Sequence, residues 1–400
     1  MKRIAALIAL LACASSAGAI RAQAASGACG GGSNYTVPLS AAPFAVMTEP
    51  DGQHAFVSLN STRPDQLNGL AILACTDGRY AVQRVIPLED QPTGMALTHS
   101  GDLLVLADDV YVAFVDMKKV LAGDPDVLAG YFEDIPDDDG GAVYANVSAD
   151  DHLAFISEEQ SGTITVIDLR KGRQNHFDRS SIIGEIQLGR APVALVLSKD
   201  GRYLFTTIQG TPADFGFAKT CKTEGVQGPQ AKDEAPGAVI VIDVAKAATD
   251  PANSIVSKTP ADCHPVRASL SPDGESLWVT ARASNTVLQF STAKLIAGDA
   301  KALMARVAVG KSPVPVIATA DGRFVLSANT DRFAPGPPQD QQIDVIDARS
   351  AKVVGHIPAG KFPREFSGTR SGATIFLANF SSDSLTVIDA NSIESTMIKE

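Results

Sequence analysis

Two short stretches of this sequence combine residue types that could bind or activate a small molecule. His264 and Arg267 flank one proline motif, and Arg364 and Glu365 follow another. With Tyr144 they form a candidate ligand site, in which Arg267 and Arg364 would hold a carboxylate bidentately and His264 or Glu365 would activate water. The favoured alternative is structural: arginine and glutamate side chains pair across the fold, because buried charges are usually paired.

A second candidate site is acidic. Carboxylates crowd a short run of the chain, which suits a hard cation such as calcium: Glu133, Asp134, Asp137, Asp138 and Asp139. The run lacks the D-x-[DN]-x-[DN]-G spacing of a calcium loop, so a solvated acidic loop is the favoured interpretation. Asp137, Asp138 and Asp139 are therefore weak calcium candidates, and no other cofactor is predicted.

The amino terminus resembles a secretory signal peptide. Lys2 and Arg3 precede an apolar stretch over residues 4–12 and small residues up to residue 24, which is the layout of an export leader and is too short for a membrane span. Cleavage before Cys13, which would leave a lipid-anchored protein, is the alternative. We therefore predict a leader over residues 1–24, a flexible segment over 25–34 and an extracytoplasmic location.

Charge and cysteine content limit the partners and the compartment. Loss of residues 1–24 reduces the 34 basic residues to 31, against 45 acidic residues, so the mature net charge is −14. Such a chain repels nucleic acid. Four cysteines remain, Cys29, Cys75, Cys221 and Cys263, and none forms a C-x-x-C motif. An even number of cysteines in an exported chain favours two disulfides.

A repeat of about 50 residues organises the chain. Seven two-residue turns lie 49, 50, 50, 73, 48 and 50 residues apart: Asp51-Gly52, Ser100-Gly101, Asp150-Asp151, Asp200-Gly201, Asp273-Gly274, Asp321-Gly322 and Ser371-Gly372. Eight residues before the turn, six repeats have a proline and the third has Ala142. Alternating apolar residues before and after each turn predict a hairpin, and two further strands follow, the first of which ends in Val-Ile-Asp in four repeats.

Four strands per unit predict an all-β, seven-bladed β-propeller with four antiparallel strands per blade, over residues 35–400. The ring must close to remove the last sheet edge. The segment Tyr35–Leu39 (YTVPL) is the favoured closing strand, and the tail Ser395–Lys399 is the alternative.

The repeat resembles that of the YVTN-repeat β-propellers. The similarity is carried by "SPDGESLWVT" from Ser271, "TADGRFVLSAN" from Thr319, "GTITVIDL" from Gly162 and "SLTVIDA" from Ser384. The wider lactonase-like clan of seven-bladed propellers implies lactone hydrolysis as a candidate activity. No catalytic motif of that group matches particular positions here, and the third repeat departs from the pattern at Ala142 and Asp151.

Propeller topology orients the chain. Loops that join a fourth strand to the next first strand, or a second to a third, share one face around the central channel, and the Asp-Gly turns lie on the other. The insertions over residues 209–236 and 331–342 are thus predicted on the channel face. Cys221 and Cys263 fall on that face, and Cys29 and Cys75 on the other, which favours the pairs Cys221–Cys263 and Cys29–Cys75.

The second residue after each repeat proline is predicted near the axis. This position is occupied by Ala45, Gly94, Tyr144, Ala194, Arg267, Pro315 and Glu365. Four of these are small residues or proline, and Tyr144, Arg267 and Glu365 are the exceptions. The favoured function is a monomeric binding or scaffold module for a small anionic ligand or a surface protein, without transmembrane segment. A lactonase-like hydrolase is the alternative, and a redox-cofactor-binding propeller is the third.

Overall fold

The structure, a computed structural model, describes residue 29 and residues 32–61, 63–88, 91–133, 141–226, 228–333 and 341–399. The predicted leader, Cys13 and the calcium candidates Asp137, Asp138 and Asp139 lie outside these ranges. Seven small antiparallel sheets form a ring, so the predicted seven-bladed β-propeller is confirmed.

The strands follow the repeat. Strand β1 (Tyr35–Pro38) precedes the first blade. Blades one to three are formed by β2 (Pro43–Thr48), β3 (His54–Leu59), β4 (Gly69–Thr76) and β5 (Arg79–Pro87); β6 (Met95–Leu97), β7 (Leu103–Asp108), β8 (Tyr111–Asp116) and β9 (Leu128–Glu133); and β10 (Ala142–Val147), β11 (Leu153–Glu158), β12 (Thr163–Asp168) and β13 (Ile182–Gln187).

Blade four contains the long insertion. It consists of β14 (Arg190–Leu197), β15 (Tyr203–Gly210), β18 (Ala238–Asp243) and β19 (Ile255–Pro260), with the hairpin β16 (Cys221–Lys222) and β17 (Asp233–Glu234) inserted. Blades five to seven are formed by β20 (Pro265–Leu270), β21 (Ser276–Ala281), β22 (Thr286–Ser291) and β23 (Leu303–Ala308); β24 (Pro313–Ala318), β25 (Phe324–Asn329), β26 (Gln342–Asp347) and β27 (Lys352–Pro358); and β28 (Pro363–Gly368), β29 (Thr374–Asn379) and β30 (Ser384–Asp389), followed by β31 (Ile398–Lys399).

Helices are short and lie in connections. The α-helices are α1 (Met117–Ala122), α2 (Leu169–Asn175), α3 (Val244–Ala247), α4 (Thr292–Ile296) and α5 (Ile393–Thr396). Single 3-10 turns are Arg179–Ser181, Ala213–Phe215, Gly228–Gln230, Pro251–Asn253, Arg282–Ser284, Phe380–Ser382 and Ala390–Ser392. No helix within the described ranges has the length and apolar character needed to cross a bilayer.

Both chain ends add strands to the ring. Strand β1 pairs with β30 and completes blade seven, as the favoured prediction required. The alternative is wrong, because the C-terminal β31 pairs instead with β27 and extends blade six. Each first strand contacts the first strand of the next blade, and β28 contacts β2. The seven first strands therefore surround the central channel.

The third repeat keeps the common geometry despite its altered residues. Strand β10 begins at Ala142, the place at which a proline begins the first strand in blades one, five, six and seven. Asp151 has a φ of 57°, in the left-handed region that glycine occupies in the other six turns. Its carboxylate accepts hydrogen bonds from the backbone N–H groups of His99, at 2.7 Å, and Ser100, at 2.9 Å. The aspartate thus joins the turns of blades two and three.

The core lies between neighbouring blades. The fourth residue after each turn is fully buried in the second strand, and it is aromatic in five blades: Phe56, Phe155, Phe205, Trp278 and Phe376. These side chains pack between adjacent sheets, because one blade alone cannot bury both of its faces. The repeat thereby builds a closed ring around the channel.

Candidate ligand site in the central channel

A bulge in the first strand directs side chains into the channel. The register between the first and second strands shifts in every blade except blade two. The shift lies close to the second residue after the repeat proline, or after Ala142 in blade three. A β-bulge leaves the extra residue unpaired and re-aims its side chain. Arg267 lies unpaired within its bulge, whereas Tyr144 and Glu365 come directly after the shift and pair with Ser157 and Ala378. All three lie near the axis, as predicted from the repeat.

Hydroxyl groups fix the bulge in three blades. The unpaired N–H groups donate to hydroxyls on the second strand: Ala45 N to Ser58 Oγ at 3.0 Å, Ala194 N to Thr207 Oγ1 at 3.1 Å and Arg267 N to Thr280 Oγ1 at 3.1 Å. The same hydroxyls donate to carbonyls of the next blade: Thr93 at 2.6 Å, Val266 at 2.8 Å and Val314 at 2.8 Å. Each bulge is therefore held by two blades, which orders the channel side chains.

Tyr144, Arg267 and Glu365 meet at the axis and form what we call the plug. Arg267 Nη2 lies 2.8 Å from Glu365 Oε2, and Arg267 Cζ lies 3.4 Å from the centroid of the Tyr144 ring. Tyr144 and Arg267 are buried, and 22% of the Glu365 side-chain surface is exposed. Three residues from blades three, five and seven thus combine an ion pair with a cation–π contact.

Burial shifts the pKa values of the plug. Loss of water lowers the pKa of Arg267 to about 10, although Glu365 opposes that shift. Burial likewise raises the pKa of Glu365, and Arg267 and Arg364 oppose it. Each charge is disfavoured by its surroundings and supported by the other, as expected for a pair removed from water.

Arg364 lies beside the plug in a different environment. It is the first residue after the repeat proline, a position held elsewhere by Phe44, Thr93, Val143, Val193, Val266 and Val314. Its guanidinium carbon lies 4.0 Å from the centroid of Phe44 and 5.4 Å from that of Phe380. Across the described ranges it makes no hydrogen bond or ion pair, and its Nε is buried without a partner. Burial lowers the pKa of Arg364 to about 10, and Glu159 opposes this shift most strongly.

A polar network surrounds the mouth of the channel on the side of the insertion. Glu159, Gln209 and Arg282 are each the eighth residue after the second turn residue, in blades three, four and five. Gln209 Nε2 donates to Glu159 Oε1 at 3.1 Å, and Arg282 Nη2 donates to Gln209 Oε1 at 2.9 Å. These three residues were not among the predicted site residues, although the seven-fold register also aligns the ends of the second strands and places them at one level of the ring.

The insertion of blade four contributes to this network. Glu224 accepts from Arg282 Nε at 2.7 Å and lies 3.2 Å from His264 Nδ1. The disulfide Cys221–Cys263 joins the insertion to the entry of blade five. Cys29 and Cys75 are also paired, so both cysteine pairs have the expected connectivity. The Cys221–Cys263 disulfide therefore holds Glu224 of the insertion against the channel mouth.

His264 does not join the plug. Its ring is 4% exposed and lies between Glu224 and Glu234 of the insertion, with Nε2 3.7 Å from Glu234. Burial lowers the pKa of His264, and Glu224 opposes this. The described hydrogen bonds and ion pairs connect it to none of the other four predicted site residues. The five-residue cluster of the sequence analysis is therefore split, because the insertion supplies carboxylates that the histidine faces instead.

The plug separates two cavities. One, of about 190 Å³, is lined by first-strand residues two to four positions after the repeat proline, or after Ala142 in blade three, and extends from the plug towards the Asp-Gly turns. The other, of about 30 Å³, lies on the mouth side and is lined by Glu159, Arg282, Arg332 and Arg364 among others. Tyr144 and Arg267 line both cavities, Glu365 only the larger and Arg364 only the smaller.

Comparison with known proteins supports the fold alone. The chain is similar to a chain of hydrazine synthase from Kuenenia stuttgartiensis, with a TM-score of 0.64 and 16% sequence identity, over 88% of this chain and 96% of that one. No family model matches the sequence, and no curated protein matches it. The resemblance to YVTN-repeat propellers therefore stays a prediction at the level of the family.

Calcium binding also stays a prediction, because its candidate ligands lie outside the described residues. Among the residues that are described, no group of three or more histidine, cysteine, aspartate or glutamate side chains is arranged to hold a metal ion.

Proposed function

We propose that this chain is an extracytoplasmic binding propeller whose channel mouth receives the carboxylate of a small anionic ligand or of a surface protein. The observation that carries the proposal is Arg364, a half-buried guanidinium whose Nε is fully buried and which has no hydrogen-bond acceptor in the described part of the chain. A buried charge without a direct partner is costly, and a bound anion would relieve that cost.

The surroundings of Arg364 support an anion rather than a cation. Three arginines, Arg282, Arg332 and Arg364, face two glutamates at the mouth, Glu159 and Glu224. Glu224 is already bound by Arg282 through two nitrogens, and Glu159 accepts from Gln209. A carboxylate would give Arg364 the bidentate partner that it lacks.

The size of the mouth cavity limits what enters it. A volume of about 30 Å³ is roughly the share of one water molecule in the liquid. The cavity therefore suits the anionic end of a ligand, with the rest of the molecule directed outwards. The two disulfides support an oxidising, extracytoplasmic location, where such bonds persist.

Hydrolysis receives less support from the geometry. A general base must reach the water that it activates. His264 is enclosed by Glu224 and Glu234, and Glu365 is paired with Arg267. Neither candidate base faces the mouth cavity beside Arg364.

Calorimetric titration with acetate, succinate and citrate, and with succinamide as the uncharged counterpart, tests the proposal. We expect the carboxylates to bind and Arg364→Met to weaken them about 10- to 100-fold, the range of a hydrogen bond to a charged group. Arg323→Met, which removes an exposed pair with Glu394, is the matched control and should leave binding unchanged.

Two results would contradict the proposal. One is unchanged carboxylate affinity in Arg364→Met. The other is hydrolysis of simple lactones that disappears in His264→Ala or Glu365→Gln, which would favour the lactonase-like alternative.

A further inference from the structure

The larger cavity, on the turn side of the plug, has a different chemical character from the mouth. Apart from Asn146, whose amide is hydrogen-bonded to the backbone of Leu195 and Val147, its walls are apolar. They come from first strands, with Ala45, Met47 and Met95 among them. Its inner end is the plug. At about 190 Å³ it is smaller than the roughly 300–1,000 Å³ of pockets for drug-sized ligands. The space suits a compact molecule with a mainly apolar body.

The inner end of this cavity carries balanced charge. Arg267 and Glu365 form an ion pair with each other, and Arg364, which has no such partner, lines only the mouth cavity. A charged ligand would therefore be buried against a pair that is already neutralised, at a cost in desolvation. The turn-side cavity consequently favours a neutral ligand.

Several polar atoms of the plug lack hydrogen-bond partners in the part of the chain that the structure describes. They are the Tyr144 hydroxyl, Nε and Nη1 of Arg267, and Oε2 of Glu365. The Glu365 atom lies 2.8 Å from Arg267 Nη2 but without hydrogen-bond geometry. Buried groups of this kind are costly when unsatisfied. Donors and an acceptor thus stand side by side at the end of an apolar cavity.

We infer that the turn-side cavity is a second ligand site, for a compact neutral molecule that carries an amide. An amide carbonyl accepts from both Arg267 and the Tyr144 hydroxyl, and the adjoining N–H donates to Glu365. A ketone or ester of the same shape supplies only the acceptor and leaves the carboxylate unsatisfied. The inference does not rest on the carboxylate site at the mouth, since Met47 and Met95 line only the turn-side cavity and Arg364 only the mouth.

Methionine methyl groups provide a local readout. Met47 and Met95 line the cavity, whereas Met304 is 48% exposed elsewhere. The mature chain, labelled with ¹³C at the methionine methyls and assigned by Met47→Leu and Met95→Leu, would be titrated with δ-valerolactam and, separately, with cyclohexanone. We expect the lactam to shift the signals of Met47 and Met95 in a saturable way, without shifting Met304, and to bind at least about 10-fold more tightly than the ketone.

A variant tests the role of the plug without disrupting it. Tyr144→Phe keeps the ring beneath Arg267 and removes only the hydroxyl, and we expect it to weaken the lactam about 3- to 10-fold. The Tm of the unliganded variant should be equal to or higher than that of the unaltered protein, because the hydroxyl is buried without a partner. Arg364→Met should bind the lactam as tightly as the unaltered protein does. The experiment therefore tests the turn-side site independently of the carboxylate site at the mouth.

The inference is overturned if the lactam shifts neither methionine, as expected for a cavity that holds only water. It is equally overturned if the ketone binds as tightly as the lactam, which would mean an apolar cavity without amide recognition. Unchanged lactam affinity in Tyr144→Phe would also contradict the assignment of the plug as the polar end of the site.

Discussion

The two ends of the central channel are built from the same blades and differ in chemistry. The turn-side end is lined by small and apolar residues of the first strands and ends on a balanced ion pair. The mouth is lined by residues at the ends of second strands, by Arg332 and by Arg364, and it is closed in by Glu224 of the insertion. Only the mouth contains a guanidinium with no direct acceptor among the described residues.

The difference shows where a repeat fold leaves room for charge. Positions inside a strand face a neighbouring blade or the narrow axis, where an unpaired charge would be buried. Strand ends and insertions face the mouth, where long side chains can reach one another and a ligand. The plug residues Tyr144 and Arg267 line both cavities. They therefore lie between the apolar turn-side cavity and the charged mouth.

Loss of Arg267 is the most severe test of this separation. Arg267→Met removes the partner of Glu365, whose side chain is 22% exposed, and breaking a buried pair costs about 3–5 kcal/mol. We expect the free energy of unfolding in urea to fall by about 3 kcal/mol, the lower end of the range, and ligand binding at both ends to weaken. The double variant Arg267→Met/Glu365→Gln should recover most of the stability.

An exposed pair provides the control for this test. Arg306→Met removes the surface pair with Asp262, and the expected change is within about 0.5 kcal/mol. If Arg267→Met were equally mild, the plug would not be the shared structural element that separates the two ends.

Removal of one disulfide should affect only the mouth. Cys221→Ser/Cys263→Ser releases the insertion that carries Glu224, across a sequence separation of 42 residues, and we expect a loss of about 2–4 kcal/mol. Calorimetry should show weaker carboxylate binding, while the Met47 and Met95 signals still respond to the lactam.

The matched control is Cys29→Ser/Cys75→Ser, which removes the other disulfide, with a separation of 46 residues. It should cost similar stability and leave carboxylate binding intact. Equal weakening of carboxylate binding by both variants would contradict a mouth held specifically by Cys221–Cys263.

The smallest expected change in stability concerns Asp151, in the turn between the first two strands of blade three, on the face opposite the mouth. Burial acts to raise the pKa of Asp151, but hydrogen bonds from His99 and Ser100 outweigh it and hold the pKa below its ordinary value. A carboxylate with a lowered folded pKa stabilises the protein above its unfolded pKa, and this contribution is lost as the pH falls through the folded pKa. Asp151→Gly should therefore be less stable by about 1 kcal/mol at pH 7. This deficit should shrink as the pH falls below the ordinary aspartate pKa and disappear below the lowered pKa of folded Asp151.

Asp77→Gly is the control for backbone conformation. Asp77 also has a left-handed φ, of 52°, but its side chain makes no hydrogen bond or ion pair with another described residue. Glycine should stabilise this turn slightly at every pH. Urea denaturation would measure the free energy of unfolding of both variants across the pH range. The same pH dependence in Asp151→Gly and Asp77→Gly would contradict the role of Asp151.

The sequence alone predicted much of the channel, but not its partners. The second residue after the repeat proline was correctly assigned to the axis, so Tyr144, Arg267 and Glu365 were identified before the structure. His264 was grouped with them because it precedes Pro265, and the glutamates of the insertion could not be positioned from sequence. Glu159, Gln209 and Arg282 were not predicted, because they lie at the ends of second strands and the prediction rested on first-strand positions.

Local chemistry determined the architecture. The turn residues, the alternating strands and their 50-residue spacing specify a seven-bladed ring and assign each cysteine to a face, since these features depend on neighbours in the chain and repeat seven times. Tertiary structure decided which side chains meet. The contact of Arg267 with Tyr144 and Glu365 joins blades three, five and seven, and Glu224 reaches Arg282 across 58 residues. Such contacts depend on how far each bulged strand and inserted loop projects towards the axis, which no local pattern encodes.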